Sequence, residues 1–114
     1  MAEERNKRSI ADFALMITHK TGRNALQYNN YGCWCGIGGG GNVLDGVDGC
    51  CKAHDLCYRW IERQGCHQNG HYTESGSNQY CPQQACMCDK RAAECFGRNR
   101  YNRNNKGVNR AQRC

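Results

Sequence analysis

The chain has 114 residues, of which 39% are hydrophobic and eleven are cysteine, and its formal net charge is +6. The length excludes several domains, and the cysteine content excludes a reducing compartment, where a disulfide scaffold would not survive. No apolar run approaches the roughly 20 residues of a membrane-spanning helix. We therefore predict one small, secreted, disulfide-stabilised domain.

The amino-terminal segment differs from the rest of the chain in its charges. It begins with acidic residues and ends in the dibasic pair Lys7-Arg8, immediately before an amphipathic stretch. We predict that residues 1–8 are a propeptide remnant or a charged tail and that residues 9–114 form a single domain.

The first predicted element is a short amphipathic helix. Within residues 9–20 the apolar residues Ile10, Phe13 and Ile17 recur at i, i+3 and i+7, and a glycine shortly afterwards suits the helix end.

The segment 31–41 then holds six glycines in eleven residues. This composition excludes regular structure and predicts a loop folded closely around something.

Two longer helices are predicted in the second half of the chain. Residues 46–63 follow an aspartate that suits a helix start and precede a glycine that suits a helix end. Residues 82–96 begin with Pro82, which suits a first helical position, and Gly97 suits a carboxyl-terminal cap. The polar segment 67–80 between them is predicted to be a loop or a small hairpin.

Cysteine spacing favours an antiparallel pairing of these two helices. Cys50 and Cys57 lie two turns apart on one helix, and Cys88 and Cys95 lie two turns apart on the other. Bridges from 50 to 95 and from 57 to 88 would fit one antiparallel register, although the sequence alone leaves the connectivity open. We predict a mainly all-α, disulfide-rich domain.

The same register brings a histidine close to a carboxylate. His54 would lie opposite position 91 and Asp89 opposite position 56, about half a turn away, so that the two side chains can meet. A neutral imidazole is suited to accepting a proton near physiological pH once a second group fixes its tautomer. We therefore predict His54 as a catalytic base and Asp89 as its orienting carboxylate.

A metal site is predicted beside this pair. Asp55 points about 100° away from His54 around the helix, so it is not expected to serve the same imidazole. A glycine-rich loop that exposes main-chain carbonyls, combined with one carboxylate, makes an all-oxygen site that suits calcium better than zinc or copper. The alternative, zinc held by Cys33, Cys35, Cys51 and His54, requires thiols that an exported protein would oxidise.

Three segments of the chain resemble the secreted phospholipases A2: YGCWCGIGGGG, DGCCKAHDLCY and CMCDKRAAECF. The likeness covers roughly Ser9 to Cys95, with a looser tail. It implies calcium-dependent hydrolysis of the sn-2 ester of glycerophospholipids at membrane surfaces, which yields lysophospholipid and free fatty acid.

The resemblance also implies roles for individual residues. It implies four calcium ligands, of which the first three act through main-chain oxygens: Trp34, Gly36, Gly38 and Asp55. His54 would be the base and Asp89 its orienting carboxylate, the same pair that the helix register selects. The Gly36 amide would be an oxyanion donor, and Tyr58 would help to hold Asp89.

Four apolar positions match the wall of the family's acyl channel: Ile10, Phe13, Ile17 and Tyr28. Ordinary core packing is the alternative, because a channel wall and a core face use the same side chains. We predict the channel and keep core packing open.

The resemblance implies five disulfides: Cys33–Cys114, Cys35–Cys51, Cys50–Cys95, Cys57–Cys88 and Cys66–Cys81. Only fourteen residues separate Cys66 from Cys81, so the family's two-stranded β-wing must be shortened or absent. Cys86 is then unpaired, because the wing cysteine that should bond to it is missing. We expect a monomer, although Cys86 would permit a disulfide-linked dimer. Whether Tyr72 or Tyr80 replaces the wing tyrosine that contacts the orienting aspartate stays open.

The charge distribution bears on which kind of surface or polymer the protein binds. No acidic residue follows Glu94, whereas six basic residues do. Charge alone does not choose among anionic lipid, sulfated polysaccharide and nucleic acid. The resemblance implies a phospholipid membrane surface, particularly an anionic one, and no nucleic acid.

Two other functions remain open from the sequence. One is a non-catalytic, toxin-like or matrix binding module on the same scaffold, and the other is a cationic antibacterial protein that acts by charge. The presence of His54, Asp55 and Asp89 together favours the enzyme, because a purely adhesive protein has no need of all three.

Overall fold

A computed structural model of the chain describes residues 7–66 and 80–114. The predicted propeptide remnant, residues 1–8, lies almost entirely outside the described residues and stays a prediction. The segment predicted as a shortened β-wing, loop or hairpin also lies outside them, apart from Tyr80, and so does Tyr72.

Three long helices form the body of the protein. The helices are α1 (Lys7–Thr21), α2 (Gly46–Arg63), α3 (Tyr80–Arg98) and the short α4 (Arg110–Arg113). Single 3-10 turns lie at Ala25–Tyr28 and Arg103–Asn105. Within 7–66 and 80–114 there is no β-strand, only isolated bridges from Tyr31 to Cys35 and to Lys106. The predicted mainly all-α fold is confirmed.

Local sequence explains where α1 and α2 begin and end. The Asp45 side chain caps α2 by accepting a hydrogen bond from the Asp48 amide at 2.8 Å. Gly65 follows the end of α2 with a φ of 93°, and Gly22 follows the end of α1 with a φ of 72°. Both glycines have the left-handed backbone conformation that commonly ends helices.

The predicted role of Gly97 as a helix cap is wrong. Helix α3 begins two residues before Pro82 and continues through Gly97 to Arg98. A Cβ atom at position 97 would lie 3.0 Å from the main-chain oxygen of Lys20. Gly97 therefore allows α1 and α3 to approach each other closely, and Pro82 lies in the first helical turn, where a missing amide proton costs little.

Five disulfides link the described elements: Cys33–Cys114, Cys35–Cys51, Cys50–Cys95, Cys57–Cys88 and Cys66–Cys81. They are the same five pairs that the family resemblance implies. The bridges from 50 to 95 and from 57 to 88 both join α2 to α3, with Cα atoms 5.7 Å apart in each. The two helices are therefore held antiparallel and in a fixed register.

Apolar packing around these crosslinks forms two clusters. The larger lies between α1, the glycine-rich loop, α2 and α3, and its buried members include Phe13, Ile17, Tyr28, Trp34, Val47 and Phe96. The smaller surrounds Tyr58, Ile61 and Ala85. None of the described helices is long and apolar enough to cross a membrane.

Cys86 supplies a direct test of the disulfide scheme. It is exposed and is the one cysteine outside the five bridges. We expect the non-reduced protein to react with one equivalent of a thiol reagent, both when folded and in denaturant, and Cys86→Ser to react with none. Two or more reactive thiols in denaturant, or none in a monomer, would contradict the scheme.

Candidate active site

A histidine and an aspartate meet between α2 and α3. His54 Nε2 lies 2.8 Å from Asp89 Oδ1, and both residues are only 3% exposed. The Tyr58 hydroxyl donates to the same Asp89 oxygen at 2.9 Å. In a neutral ring whose Nε2–H donates to Asp89, the proton-accepting lone pair is on Nδ1. The arrangement is that of an oriented general base.

The disulfides between α2 and α3 account for this meeting. His54 lies between Cys50 and Cys57 on α2, and Asp89 follows the crosslinked Cys88 on α3. Tyr58 is four residues after His54, so it lies on the same face of α2 one turn further on. The antiparallel register that the cysteine spacing predicts is the one in which these three side chains touch.

An apolar cavity is lined by the same phenylalanine that stacks on the histidine. The Phe13 ring stacks on the His54 ring, with centroids 4.6 Å apart and planes inclined by 16°. Phe13 also lines a cavity of about 230 Å³ together with the other three residues predicted for the acyl channel, Ile10, Ile17 and Tyr28. Ile10 is 42% exposed, whereas the other three are 2% exposed. These side chains therefore line the cavity, and three of them also belong to the core.

A buried carboxylate on α2 holds the start of the glycine-rich loop. Asp48 is fully buried and accepts hydrogen bonds from the amides of Cys33 at 2.9 Å, Trp34 at 2.8 Å and Leu44 at 3.0 Å. Gly32 packs directly on it, because a Cβ atom there would lie 2.6 Å from either carboxylate oxygen. Three amide donors compensate the desolvation of the charge.

Tyr31 ties the same loop to the tail and to the start of α2. Its hydroxyl donates to Asp45 Oδ2 at 2.5 Å and accepts from the Asn102 amide at 3.0 Å. Burial, reinforced by the Asp45 carboxylate, raises the pKa of Tyr31 to about 12. The hydroxyl therefore stays protonated and continues to donate through the physiological range.

The guanidinium of Arg110, in the tail, binds main-chain carbonyls of the glycine-rich loop. Arg110 donates through Nε to the Gly32 carbonyl at 3.0 Å, through Nη1 to Ile37 at 2.8 Å and through Nη2 to Cys35 at 2.7 Å. Asp48 thus holds loop amides, and Arg110 holds loop carbonyls.

The residues predicted to hold calcium fit an oxygen-ligand site. The Cys35–Cys51 bridge joins the loop to α2, and Asp55 lies four residues after Cys51 on the same helix face. A Cβ atom at Gly39 would lie 2.6 Å from the Trp34 carbonyl oxygen, so glycine keeps the space beside this predicted ligand open. Main-chain oxygens with one carboxylate are the donor set that calcium prefers.

The zinc alternative is excluded by the disulfides. Cys33, Cys35 and Cys51 are all bonded to other cysteines and have no thiolate to offer. The described parts of the chain also contain no group of three or more histidine, cysteine or acidic side chains that could hold a metal ion. A site built mainly from main-chain carbonyls does not require such a group.

Sequence reasoning missed two residues that organise the loop, Asp48 and Arg110. In the sequence, Asp48 lies in the predicted start of the second helix and Arg110 is one of the six basic residues after Glu94. For Asp48 a signal was present, since a carboxylate in a first helical turn next to a glycine-rich loop has amides within reach. Nothing in the sequence singles out Arg110 among the six basic residues of the tail.

Tyr80, one candidate for a second tyrosine near Asp89, is 44% exposed at the start of α3.

Comparison with known proteins identifies the family. The sequence pattern of the family described as phospholipase A2 matches residues 10–106. The chain belongs to the phospholipase A2 family. This confirms the prediction that the chain belongs to this family. It also confirms the prediction that the protein is a phospholipase A2 enzyme.

Curated phospholipases A2 from distant animals resemble the chain over most of its length. The mouse (Mus musculus) "Phospholipase A2, membrane associated" is 46% identical over 81% of this chain and 70% of its own. "Phospholipase A2 A2-actitoxin-Ucs2a" of Urticina crassicornis is 45% identical over 88% of this chain and 72% of its own. The human (Homo sapiens) "Group IIE secretory phospholipase A2" is 45% identical over 83% of this chain and 75% of its own.

Two glycines allow the Asp48 contact to be tested. Gly32 and Gly22 both have positive φ, 57° and 72°, but a Cβ atom at Gly22 would meet nothing within 4 Å. We expect Gly22→Ala to lower the free energy of unfolding by about 1 kcal/mol, the cost of the left-handed backbone conformation. Gly32→Ala should lower it by about 3 kcal/mol or more, because the Asp48 carboxylate must move away from its amide donors.

Denaturant unfolding at equilibrium measures both variants. Equal destabilisation of Gly22→Ala and Gly32→Ala would contradict the assignment of Asp48 as the anchor of the loop.

Proposed function

We propose that this protein hydrolyses the sn-2 ester of glycerophospholipids at membrane surfaces, with calcium as cofactor. The observation that carries the proposal is the buried contact of His54 with Asp89, whose imidazole is stacked on Phe13, a residue of the apolar cavity wall. The products are a lysophospholipid and a free fatty acid.

The base in this reaction is His54. Asp89 accepts from Nε2 and stabilises the positive charge that the ring acquires, while Nδ1 removes a proton from the water that attacks the ester carbonyl. As the bond between the carbonyl carbon and the sn-2 oxygen breaks, the imidazolium returns this proton to the leaving oxygen, which becomes the hydroxyl of the lysophospholipid. Tyr58 supports the step by fixing Asp89 through its hydroxyl. Because water is the nucleophile, no covalent acyl-enzyme forms.

The calcium ligands in this proposal are the main-chain oxygens of Trp34, Gly36 and Gly38 and the carboxylate of Asp55. Calcium, when bound, supplies a Lewis acid for the ester carbonyl and a positive charge for a phosphate oxygen. The Gly36 amide in this proposal donates to the oxyanion that develops on the carbonyl. The fit of the loop, through Gly39 and the Cys35–Cys51 bridge, supports this ligand set.

The apolar cavity suits an acyl chain. Its lining is mostly apolar, and its wall includes the ring that stacks on the proposed base. A lipid whose acyl chain enters here would bring its ester towards His54. This supports Ile10, Phe13, Ile17 and Tyr28 as the channel.

Exposed apolar side chains around the cavity suit contact with a membrane. Leu26 and Ile10, which both line the cavity, are 72% and 42% exposed. The net charge of +6 adds attraction to anionic lipid. We infer that this side of the protein lies on the bilayer during catalysis.

An extracellular location is consistent with the covalent structure. Ten of the eleven cysteines form disulfides. Such bridges persist in oxidising compartments and are reduced in the cytosol. The proposed site of action is therefore the outer surface of cells or other extracellular lipid.

A vesicle assay tests the catalytic proposal. With calcium present, His54→Gln should lower the hydrolysis rate by roughly 10²- to 10⁴-fold, the usual contribution of a general base. Asp55→Lys should reduce the rate to that of the wild type in chelator. The release of fatty acid from phospholipids labelled at sn-1 or sn-2 measures the rate and the position of cleavage.

Two matched variants control for loss of a ring or change of charge. His19→Gln alters an exposed histidine on α1, and Glu62→Lys makes on α2 the same charge change as Asp55→Lys. Both should hydrolyse lipid at the wild-type rate. Equal hydrolysis by the wild type with and without calcium would reject the proposed mechanism. If the wild type hydrolyses no lipid under any condition, the result would favour a non-catalytic binding module.

Leu26 and Leu15 form a pair that tests membrane docking. They are 72% and 69% exposed, but only Leu26 lines the cavity. We expect Leu26→Asp to weaken vesicle binding about tenfold or more, because a buried leucine contributes about 1.5 to 3 kcal/mol. Leu15→Asp should bind as the wild type does. Sedimentation with anionic vesicles measures binding, and similar losses in both variants would contradict the proposed orientation.

A further inference from the structure

The tail reaches back to the glycine-rich loop through one side chain. All three nitrogens of the Arg110 guanidinium donate to loop carbonyls, those of Gly32, Cys35 and Ile37, at 2.7 to 3.0 Å. Arginine suits this task, because its donors form a planar fork and its charge persists at every physiological pH.

The bound carbonyls alternate along the chain with the proposed calcium ligands. Cys35 lies between Trp34 and Gly36, and Ile37 lies between Gly36 and Gly38. Each peptide group is planar, so only the two dihedral angles between neighbouring planes can vary. When the Cys35 and Ile37 planes are fixed, the Gly36 plane between them has little freedom left.

This restraint matters because the backbone of a glycine is conformationally free unless other contacts hold it. Gly36 and Gly38 have φ angles of 102° and 75°, a region that glycine enters easily and also leaves easily. A loop of such residues would lose much conformational entropy on binding a metal ion. Contacts that fix the loop beforehand reduce that loss, and the affinity for the ion increases accordingly.

The tail itself is held firmly against the loop. The Cys33–Cys114 bridge joins the two, and the Asn42 side-chain amide donates to the Arg113 carbonyl at 3.1 Å. Gly41 packs against the Cys114 carbonyl, where a Cβ atom would collide. On the other side of Arg110, the Gly107 amide donates to the Asn30 carbonyl at 2.8 Å, so the tail is held both before and after Arg110.

We propose that Arg110 is a positioning residue that orients the carbonyls of the calcium loop before the ion binds. The inference rests on the proposed calcium-dependent function, whose ligands it concerns. Arg110 itself touches neither the ion nor the lipid in this scheme. Its positive charge near a cation site opposes calcium by Coulomb repulsion, so positioning and charge have opposite effects on affinity.

Four proteins separate these two effects: the wild type, Arg110→Lys, Arg110→Gln and Arg113→Gln. Lysine keeps the charge but has no fork that spans three carbonyls, whereas glutamine removes the charge as well. Arg113 is an exposed neighbour in α4, so its replacement removes the same charge from the same tail. Calorimetric titration with calcium alone, without lipid, gives the dissociation constants.

We expect Arg110→Lys and Arg110→Gln to bind calcium about tenfold more weakly than the wild type, a loss equivalent to about 1.4 kcal/mol. Arg113→Gln should stay within about twofold, because exposed charges are screened by salt. Wild-type affinity in Arg110→Lys, or tighter binding in Arg110→Gln, would overturn the inference, because repulsion would then be the only effect of Arg110.

Amide hydrogen exchange in chelator supplies a readout that does not depend on calcium. The amides of residues 33–41 should exchange faster in Arg110→Lys, while those of α2 and α3 should exchange as in the wild type. Unchanged loop exchange, or a variant that fails to fold, would count against a positioning role. A wild type that binds no calcium would overturn the proposed function together with the inference, whereas equal affinities would overturn the inference alone.

Discussion

The two disulfides between α2 and α3 are the constraint on which the site depends. Cys50–Cys95 and Cys57–Cys88 fix the sliding of one helix along the other. A shift of one residue along α3 would move Asp89 by about 1.5 Å and rotate it by about 100°, enough to break its hydrogen bond to His54. A chain of this length has a small core, and crosslinks supply a fixed geometry that apolar packing alone would specify less strictly.

The glycine-rich loop has its own system of restraints. Its amides are bound by Asp48 from α2, and several of its carbonyls are bound by Arg110 from the tail. The loop thus has the conformational freedom to expose main-chain oxygens and the external contacts to hold them. Glycine supplies accessible backbone, and charged side chains from distant parts of the chain supply order.

The long helices and the central pair could be predicted from the sequence because their signals are local or strictly periodic. Two cysteine pairs, each two turns apart, favour an antiparallel register, and in that register His54 and Asp89 can meet. Gly97 was misread because a glycine near a helix end suits a cap, whereas its actual reason is the close approach of Lys20 from α1. Arg110 could not be recognised, because its partners are more than 70 residues away in the sequence.

Helix α1 differs from α2 and α3 in containing no cysteine. It carries no disulfide, and its described contacts with the rest of the protein include the packing of Phe13 and Ile17 and the close approach at Gly97. Noncovalent packing weakens with heat and cosolvent, while the crosslinked pair of helices resists both. Phe13, whose ring stacks on His54, therefore lies on the one long helix that no disulfide secures. Warming should inactivate the enzyme at a temperature where most of its helical structure still survives.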